Sequence, residues 1–348
     1  MKRLTGFFNI LAIVIALLFT GSNTNAQEIQ KTEKEFTFKN ADGSENNSLE
    51  PSAVEAINEK YLLVADDKTA NLLIVEAAGG KIVKSLTIPQ FSVGKPKWEA
   101  MTNDGEFFYI IGSHAVKLDD TIDKLTKKLA ARSHLLRFKL KNVGDDVSKT
   151  EIDSPTELDV TDSLSKSGLY NSNPNINKVK IEGLAVRTNA ENKKELFFAL
   201  REPHDFMWVY SAELSAVPAP NEKLALKPFF NFEAGKIGIV PFRLSSIEYV
   251  PKWNGFFVIT STEDDGNAFY GNALWFVGNE ALKNSQASKS ITPQLVWLFD
   301  VKMKAEGLCV LPDSTAEKIR LALVYDNDAD DTKNSGMMRI VESTRKLK

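Results

Sequence analysis

Five times along the chain, a short apolar stretch led by an acidic or hydroxyl residue is followed by a polar turn. A second, strongly apolar stretch then ends in charged or polar residues. This self-similarity constrains the fold more than any other feature, because a recurring unit of this size marks a repeat architecture. The first unit reads Leu49-Glu50-Pro51-Ser52-Ala53-Val54, turns at Asn58-Glu59-Lys60, and runs from Tyr61 to Ala65 before Asp66-Asp67. The second reads Trp98-Glu99-Ala100-Met101, turns at Asn103-Asp104-Gly105, and runs from Phe107 to Ile111 before Gly112-Ser113-His114. The third reads Ile181-Glu182-Gly183-Leu184-Ala185-Val186, turns through Lys194, and runs from Leu196 to Leu200 before Arg201-Glu202. The fourth reads Leu244-Ser245-Ser246-Ile247, turns at Asn254-Gly255, and runs from Phe256 to Thr260 before Glu263-Asp264-Asp265. The fifth reads Ala305-Glu306-Gly307-Leu308-Cys309-Val310, turns through Lys318, and runs from Ile319 to Tyr325 before Asp326-Asn327-Asp328.

The Asn-Gly and Asp-Gly turns suit tight hairpins, because these residues accept positive φ. A third apolar strand follows each pair, at Asn71–Val75, His134–Leu140, Phe206–Ala212, Ala273–Val277 and Met337–Val341. A fourth follows in several units, at Ile82–Ile88, Leu226–Phe232 and Leu295–Phe299. Four antiparallel strands per unit, repeated in a ring, predict an all-β chain folded as a β-propeller. The count is five four-stranded blades; a sixth has room in the long second spacing. The last unit lacks a fourth strand, and Glu35-Phe36-Thr37-Phe38-Lys39 alternates with period two. Pairing the two would close the ring and remove two open edges. Residues 27–348 read as one domain, with a polar insertion at about 119–178 that includes an amphipathic helix over Asp120–Arg132. A two-domain β protein divided at that insertion is the competing reading.

The amino terminus reads as a targeting signal. Lys2 and Arg3 precede an apolar run from Phe7 to Phe19, and a polar stretch ends at Ala26 with Thr24 two residues before it. Cleavage after Ala26 predicts a periplasmic or secreted protein. No later segment reaches membrane-spanning length. With 43 Lys+Arg against 46 Asp+Glu, the formal charge of -3 lacks the basic field of a nucleic-acid binder. The single cysteine, Cys309, excludes an intrachain disulfide and a cysteine-based metal centre, and reads as apolar filler in a strand. Three histidines, His114, His134 and His204, leave little room for a His-rich metal site.

In a blade, the start of the first strand lies beside the end of the second. Each unit's leading residue should therefore meet its trailing cluster on one face of the ring. This predicts a ligand-binding group of Glu50, Glu99, His114, Glu182, Arg201, Arg243 and Glu306 at the channel mouth. The resulting funnel would be acidic, with a few cations. A metal-binding group of Asp66, Asp67, Glu263, Asp264, Asp326 and Asp328 is predicted beside it. Calcium is the ion expected there, since it accepts several carboxylate and carbonyl oxygens. The bland alternatives are within-blade pairing of the glutamates and solvated acidic loops. Asp326–Asp331 matches only the front of an EF-hand loop, with Asp331 at the glycine position and Met337 at the closing glutamate. Trp98, Trp208, Trp275 and Trp297 fall at strand positions, whereas Trp253 sits at a hairpin tip and is expected to be exposed.

The segments Ile181-Glu182-Gly183-Leu184-Ala185, Phe198-Ala199-Leu200-Arg201-Glu202-Pro203, Ala305-Glu306-Gly307-Leu308 and Val324-Tyr325-Asp326-Asn327-Asp328 resemble those of the exported bacterial domain-of-unknown-function family 3616. They are more loosely similar to esterase-like phytase propellers. The resemblance spans roughly Leu49 to Val341. It implies a β-propeller and, through the phytase group, calcium-assisted phosphate-ester hydrolysis, for which few basic residues are visible near the mouth. The sequence thus points first to an exported propeller that binds a small ligand or cation at the channel mouth. A calcium-dependent phosphate-ester or carboxyl-ester hydrolase is the second reading, and a protein-interaction scaffold the third.

Overall fold

The computed structural model describes residues 34–344 except 89–94, 118–119, 204–206, 216–218, 233, 264–268, 285–289, 300–303 and 327–335. The leader therefore lies outside the described residues. Five antiparallel sheets of four principal strands follow one another along the chain. Blade 1 is built from Pro51–Ala56, Tyr61–Asp66, Leu72–Glu76 and Ile82–Leu86, and blade 2 from Trp98–Asn103, Phe108–Gly112, Leu135–Lys141 and Glu151–Asp159. Blade 3 uses Lys180–Thr188, Lys194–Glu202, Trp208–Glu213 and Lys227–Phe232, and blade 4 uses Arg243–Val250, Gly255–Glu263, Phe269–Gly278 and Gln294–Leu298. Blade 5 takes Ala305–Val310, Lys318–Tyr325 and Met337–Thr344 from the end of the chain. Its fourth strand is Lys34–Thr37, with Lys34 opposite Ile340 and Thr37 opposite Met337, so the expected closure is present.

The first strand of each blade is an edge of its sheet and contacts the first strands of both neighbouring blades. These five edges therefore line the channel. The blades pack through five apolar cores, one at each blade-to-blade interface. Leu196, Phe198 and Leu200 point into the core shared with blade 2, while the intervening Phe197 and Ala199 point into the core shared with blade 4. A strand buried on both faces has to be apolar throughout, which is why the second strand of every unit reads as a continuous run. Each fully buried phenylalanine contributes roughly 1.5–3 kcal/mol of burial.

Among the described residues the second spacing holds no sixth blade. The expected helix forms over Ile122–Arg132 and buries Leu125 and Leu129. The predicted insertion is narrower than 119–178, because that stretch also supplies both outer strands of blade 2. Glu151–Asp159 reads as polar because it is the outermost principal strand, with only Leu158 buried. Trp253 corrects a second expectation: it is 4% exposed, donates from Nε1 to the Ala316 carbonyl at 2.8 Å, and packs against Phe257 and Phe276. Among the described residues no helix is long and apolar enough to cross a membrane.

Candidate functional site at the channel mouth

One local irregularity recurs in all five blades. The ladder between the first and second strands slips by one residue at Ser52, Glu99, Glu182, Ser245 and Glu306. A bulge leaves its extra residue unpaired and re-aims the side chain. The five bulges sit at equivalent positions, so five side chains come to one end of the channel. In blade 1 the bulged residue is Ser52, and Glu50 precedes it by two, which shifts the sequence-based alignment of that unit.

The residue after each bulge must be small. A Cβ on Gly307 would lie 2.9 Å from the Ala53 Cα, and one on Gly183 would lie 3.0 Å from the Ile247 backbone nitrogen. The neighbouring inner strands approach too closely for a side chain there. Ala53, Ala100 and Ser246 hold the same place in the other blades. This accounts for the Glu-Gly pairs of units 3 and 5.

Two residues before the bulge stand Glu50, Lys97, Lys180, Arg243 and Lys304. The three lysines escaped the sequence reading, although Lys-x-Glu recurs at Lys97-x-Glu99, Lys180-x-Glu182 and Lys304-x-Glu306. Lys97 Nζ lies 2.7 Å from Asp67 Oδ2 and 3.3 Å from Glu99 Oε1. Lys180 pairs with Glu182 Oε1, and Lys304 Nζ lies 3.0 Å from Glu306 Oε1 and 3.8 Å from Glu263 Oε2. Arg201 crosses from blade 3 to blade 4: Nη1 donates to Ser245 Oγ at 3.1 Å and Ser261 Oγ at 2.8 Å, and Nη2 to Glu263 Oε2 at 2.6 Å. Its Nε is 3.9 Å from Glu182 Oε1. The mouth is thus a ring of alternating charge, not the mainly acidic funnel that the acidic positions suggested.

Glu50 and Glu182 meet the trailing residues predicted for them, Asp66 and Arg201, whereas Glu99 does not meet His114. Glu50 donates its backbone N–H to Asp66 Oδ1 at 3.1 Å and pairs through its carboxylate with Lys68 Nζ at 2.6 Å. The Asp326 backbone N–H donates to the Lys304 carbonyl beside Glu306, and Arg243 lies opposite Ser261. The carboxylates of the predicted metal group are engaged by the protein: Asp66 by the N–H groups of Glu50 and Lys68, Asp67 by Lys97, Glu263 by Arg201. Asp326 lies within electrostatic reach of Lys68. Asp264 and Asp328, like His204, lie outside the described residues. Among the described residues no three His, Cys, Asp or Glu side chains group closely enough to hold a metal. His114 is turned into the protein. It is fully buried, shares a hydrogen bond between Nδ1 and the Gly112 carbonyl at 2.9 Å, and packs edge-on to Tyr170. Burial lowers its pKa to about 4, so it is a neutral core histidine.

Charge balance around the ring is uneven. Burial pushes Glu182 upward, but Lys180 and Arg201 outweigh it and hold the carboxyl down at about 2. Glu99 is raised to about 7, first by burial and then by the Glu182 charge, against the pull of Lys97. Glu306 is raised for the same reasons, against Lys304. Lys97 is raised because Glu99 and Asp67 flank it, despite its burial. Glu99 Oε1 is buried and receives no hydrogen bond; Lys97, which donates to Asp67, is its ion-pair partner at 3.3 Å.

Deeper in the channel, three positions after each bulge, stand Glu55, Thr102, Ala185, Glu248 and Cys309. Glu55 and Glu248 come from blades that are not neighbours, yet the Glu55 charge reaches Glu248 across the axis. Burial raises Glu55 to about 8 and Glu248 well above the usual carboxylate range. Cys309, between them, is buried and pushed up by the same burial, which keeps it an unreactive thiol, as expected of filler.

The chain belongs to a family described as "Family of unknown function (DUF6929)", whose model matches residues 51–341. This is a different family from the one its Glu-Gly-Leu motifs resemble. No curated protein matches the chain. Among solved structures it is similar to hydrazine synthase of Kuenenia stuttgartiensis, at 9% identity over 81% of this chain and 58% of that one, with a TM-score of 0.35. It is also similar to an exo-β-1,3-galactanase of Phanerochaete chrysosporium, at 8% identity over 91% and 64% of the two chains, with a TM-score of 0.47. A third is the α-L-arabinofuranosidase of Lactobacillus brevis, at 14% identity over 84% and 90%, with a TM-score of 0.44. The chain spans less than two thirds of the length of the first two.

Proposed function

We propose that this member of a family of unknown function binds a small cationic ligand, an ammonium-bearing molecule or a hard metal cation such as calcium, at the mouth of its channel. The observation that carries the reading is Glu99 Oε1, a buried carboxylate oxygen that receives no hydrogen bond and whose one ion-pair partner, Lys97, is shared with Asp67. Lys180, Arg201 and Lys304 serve Glu182, Glu263 and Glu306, whereas Lys97 serves both Asp67 and Glu99, so ionised Glu99 shares its counter-charge. Its elevated pKa and that of Glu306 support the same reading, since a bound cation would take the place of a proton there. Ligand binding stabilises the folded state by linkage. Thermal melts with millimolar calcium and with 1,4-diaminobutane at pH 8 should therefore rise, and rise less at pH 6. Melts unmoved by either at both pH values would sink the reading.

A second reading is ester hydrolysis, favoured by the split between Glu99 at about 7 and Glu182 at about 2. A carboxylic acid beside a permanent carboxylate is the arrangement general acid–base catalysis uses. The likeness of the motifs to phytase propellers points the same way. A panel of phosphate and carboxyl esters with added calcium tests it, and no turnover above a Glu99→Gln control would end it. Export through removal of the leader is also part of the proposal. The mature protein isolated from its source should begin at Gln27, and an intact leader would contradict export.

A further inference from the structure

We propose that the interior of the channel, below the mouth, is a binding site for one hydrated divalent cation, magnesium or calcium, held by Glu55, Glu248 and Thr102. This site is separate from the ring of alternating charge and does not depend on the reading of the mouth.

Three observations lead to it. Glu55, Thr102 and Glu248 occupy the same position after the bulge in blades 1, 2 and 4, so they stand at one depth in the channel. Each is buried, at 2%, 1% and 8% exposure, and each carries an atom without a hydrogen-bond partner: Glu55 Oε2, Thr102 Oγ1 and Glu248 Oε2. A buried polar atom left unpaired is costly, and three at one depth of the channel, two of them on carboxyls within electrostatic reach of one another, call for an occupant.

The occupant's charge follows from a contrast with the mouth. There the chain supplies a lysine or arginine for Glu182, Glu263 and Glu306. Inside, the positions at the same depth are Thr102, Ala185 and Cys309, none of which carries a positive charge. Asn103 and the Ala56 N–H are the donors that reach Glu55, and both are neutral. Two buried carboxyls within reach of each other's field and with no cation from the chain must either hold protons or receive a cation from solution. The donor set is all oxygen, which suits a hard ion. Two carboxylates with a hydroxyl and retained waters match the way magnesium is commonly bound, and calcium accepts the same ligands. Cys309, at the same depth, packs in the apolar core between blades 5 and 1 and stands outside this donor set.

Metal analysis of the full chain tests this. Protein equilibrated with magnesium or calcium and then passed through a desalting column should retain about one ion per chain, and chelator should remove it and lower the melting temperature. The double variant Glu55→Gln/Glu248→Gln should retain none, and its melting temperature should no longer respond to metal or chelator. The mouth variant Glu99→Gln/Glu306→Gln should retain the ion, which separates this site from the one proposed above. Failure of either glutamine variant to fold is covered by Thr102→Val, which should weaken retention at least tenfold while leaving both carboxyls in place. Wild-type protein that retains no ion, or that loses it with the mouth variant alone, would overturn the proposal and leave a protonated pair bridged by water only.

Discussion

Replacing Arg201 by methionine tests how the mouth is held together. The guanidinium is 4% exposed and makes three hydrogen bonds, to Ser245, Ser261 and Glu263, within 3.9 Å of Glu182. Methionine preserves volume but leaves both carboxylates short of a cation. Breaking a buried ion pair from one side costs about 3–5 kcal/mol. Here Lys180 still neutralises Glu182 and Lys304 still reaches Glu263 at 3.8 Å, so the lower end, roughly 3 kcal/mol, applies. With an unfolding entropy of about 2.1 cal/mol/K per residue, that corresponds to a fall of roughly 5 °C in melting temperature. Arg201→Lys keeps the charge but cannot reach two serines and a carboxylate at once, and should lose about half as much. Urea unfolding and calorimetry measure both. A methionine variant within about 1 kcal/mol of the parent would show that the ring is a solvated surface network and refute the reasoning.

Three further outcomes follow from the fold. Gly307→Val should destabilise the protein by about 1–3 kcal/mol, or abolish folding, because its Cβ meets Ala53 backbone at 2.9 Å; unchanged denaturant midpoints would contradict the bulge geometry. Deleting residues up to Phe38 removes the closing strand, the buried Phe38 ring and the 2.6 Å pair of Glu35 with Arg339, and should yield aggregated protein by size-exclusion chromatography. His114, neutral when folded at a pKa near 4 but titrating near 6.5 when unfolded, penalises the folded state in acid. Its contribution is intact above 6.5 and is lost as pH falls from 6.5 toward 4, by roughly 3 kcal/mol in all. His114→Asn, which tolerates the backbone φ of 57°, should flatten that limb of the pH–stability curve; an unchanged slope would show that the ring is not buried.

The blade count, the strand order and the closing strand were legible because each depends on local signals: two-sided apolar strands, turn residues and alternation. Blade 2's outer strand was not, because Glu151–Asp159 is polar enough to pass for a loop, and only pairing with Leu135–Lys141 makes it a strand. The mouth was half legible. Glu99, Glu182 and Glu306 are marked by their place in the repeat, yet Lys97, Lys180 and Lys304 were overlooked because lysines before a strand normally read as solvent-facing. Each stands two residues before its glutamate and pairs with it. His114 was assigned to the mouth from its place in the chain, but its positive φ rotates the ring into the core. Glu55 and Glu248 sit among apolar neighbours in sequence, and only ring closure brings non-neighbouring blades face to face.

Titration calorimetry at pH 8, with calcium chloride and with 1,4-diaminobutane added to a Glu55→Gln/Glu248→Gln parent, which lacks the inner carboxylates, and to the same protein carrying Glu99→Gln, tests the mouth most directly. The parent should bind at least one of them, and the variant should bind it at least tenfold more weakly. No heat of binding from either, or equal affinity in the variant, would contradict a cation site built on Glu99.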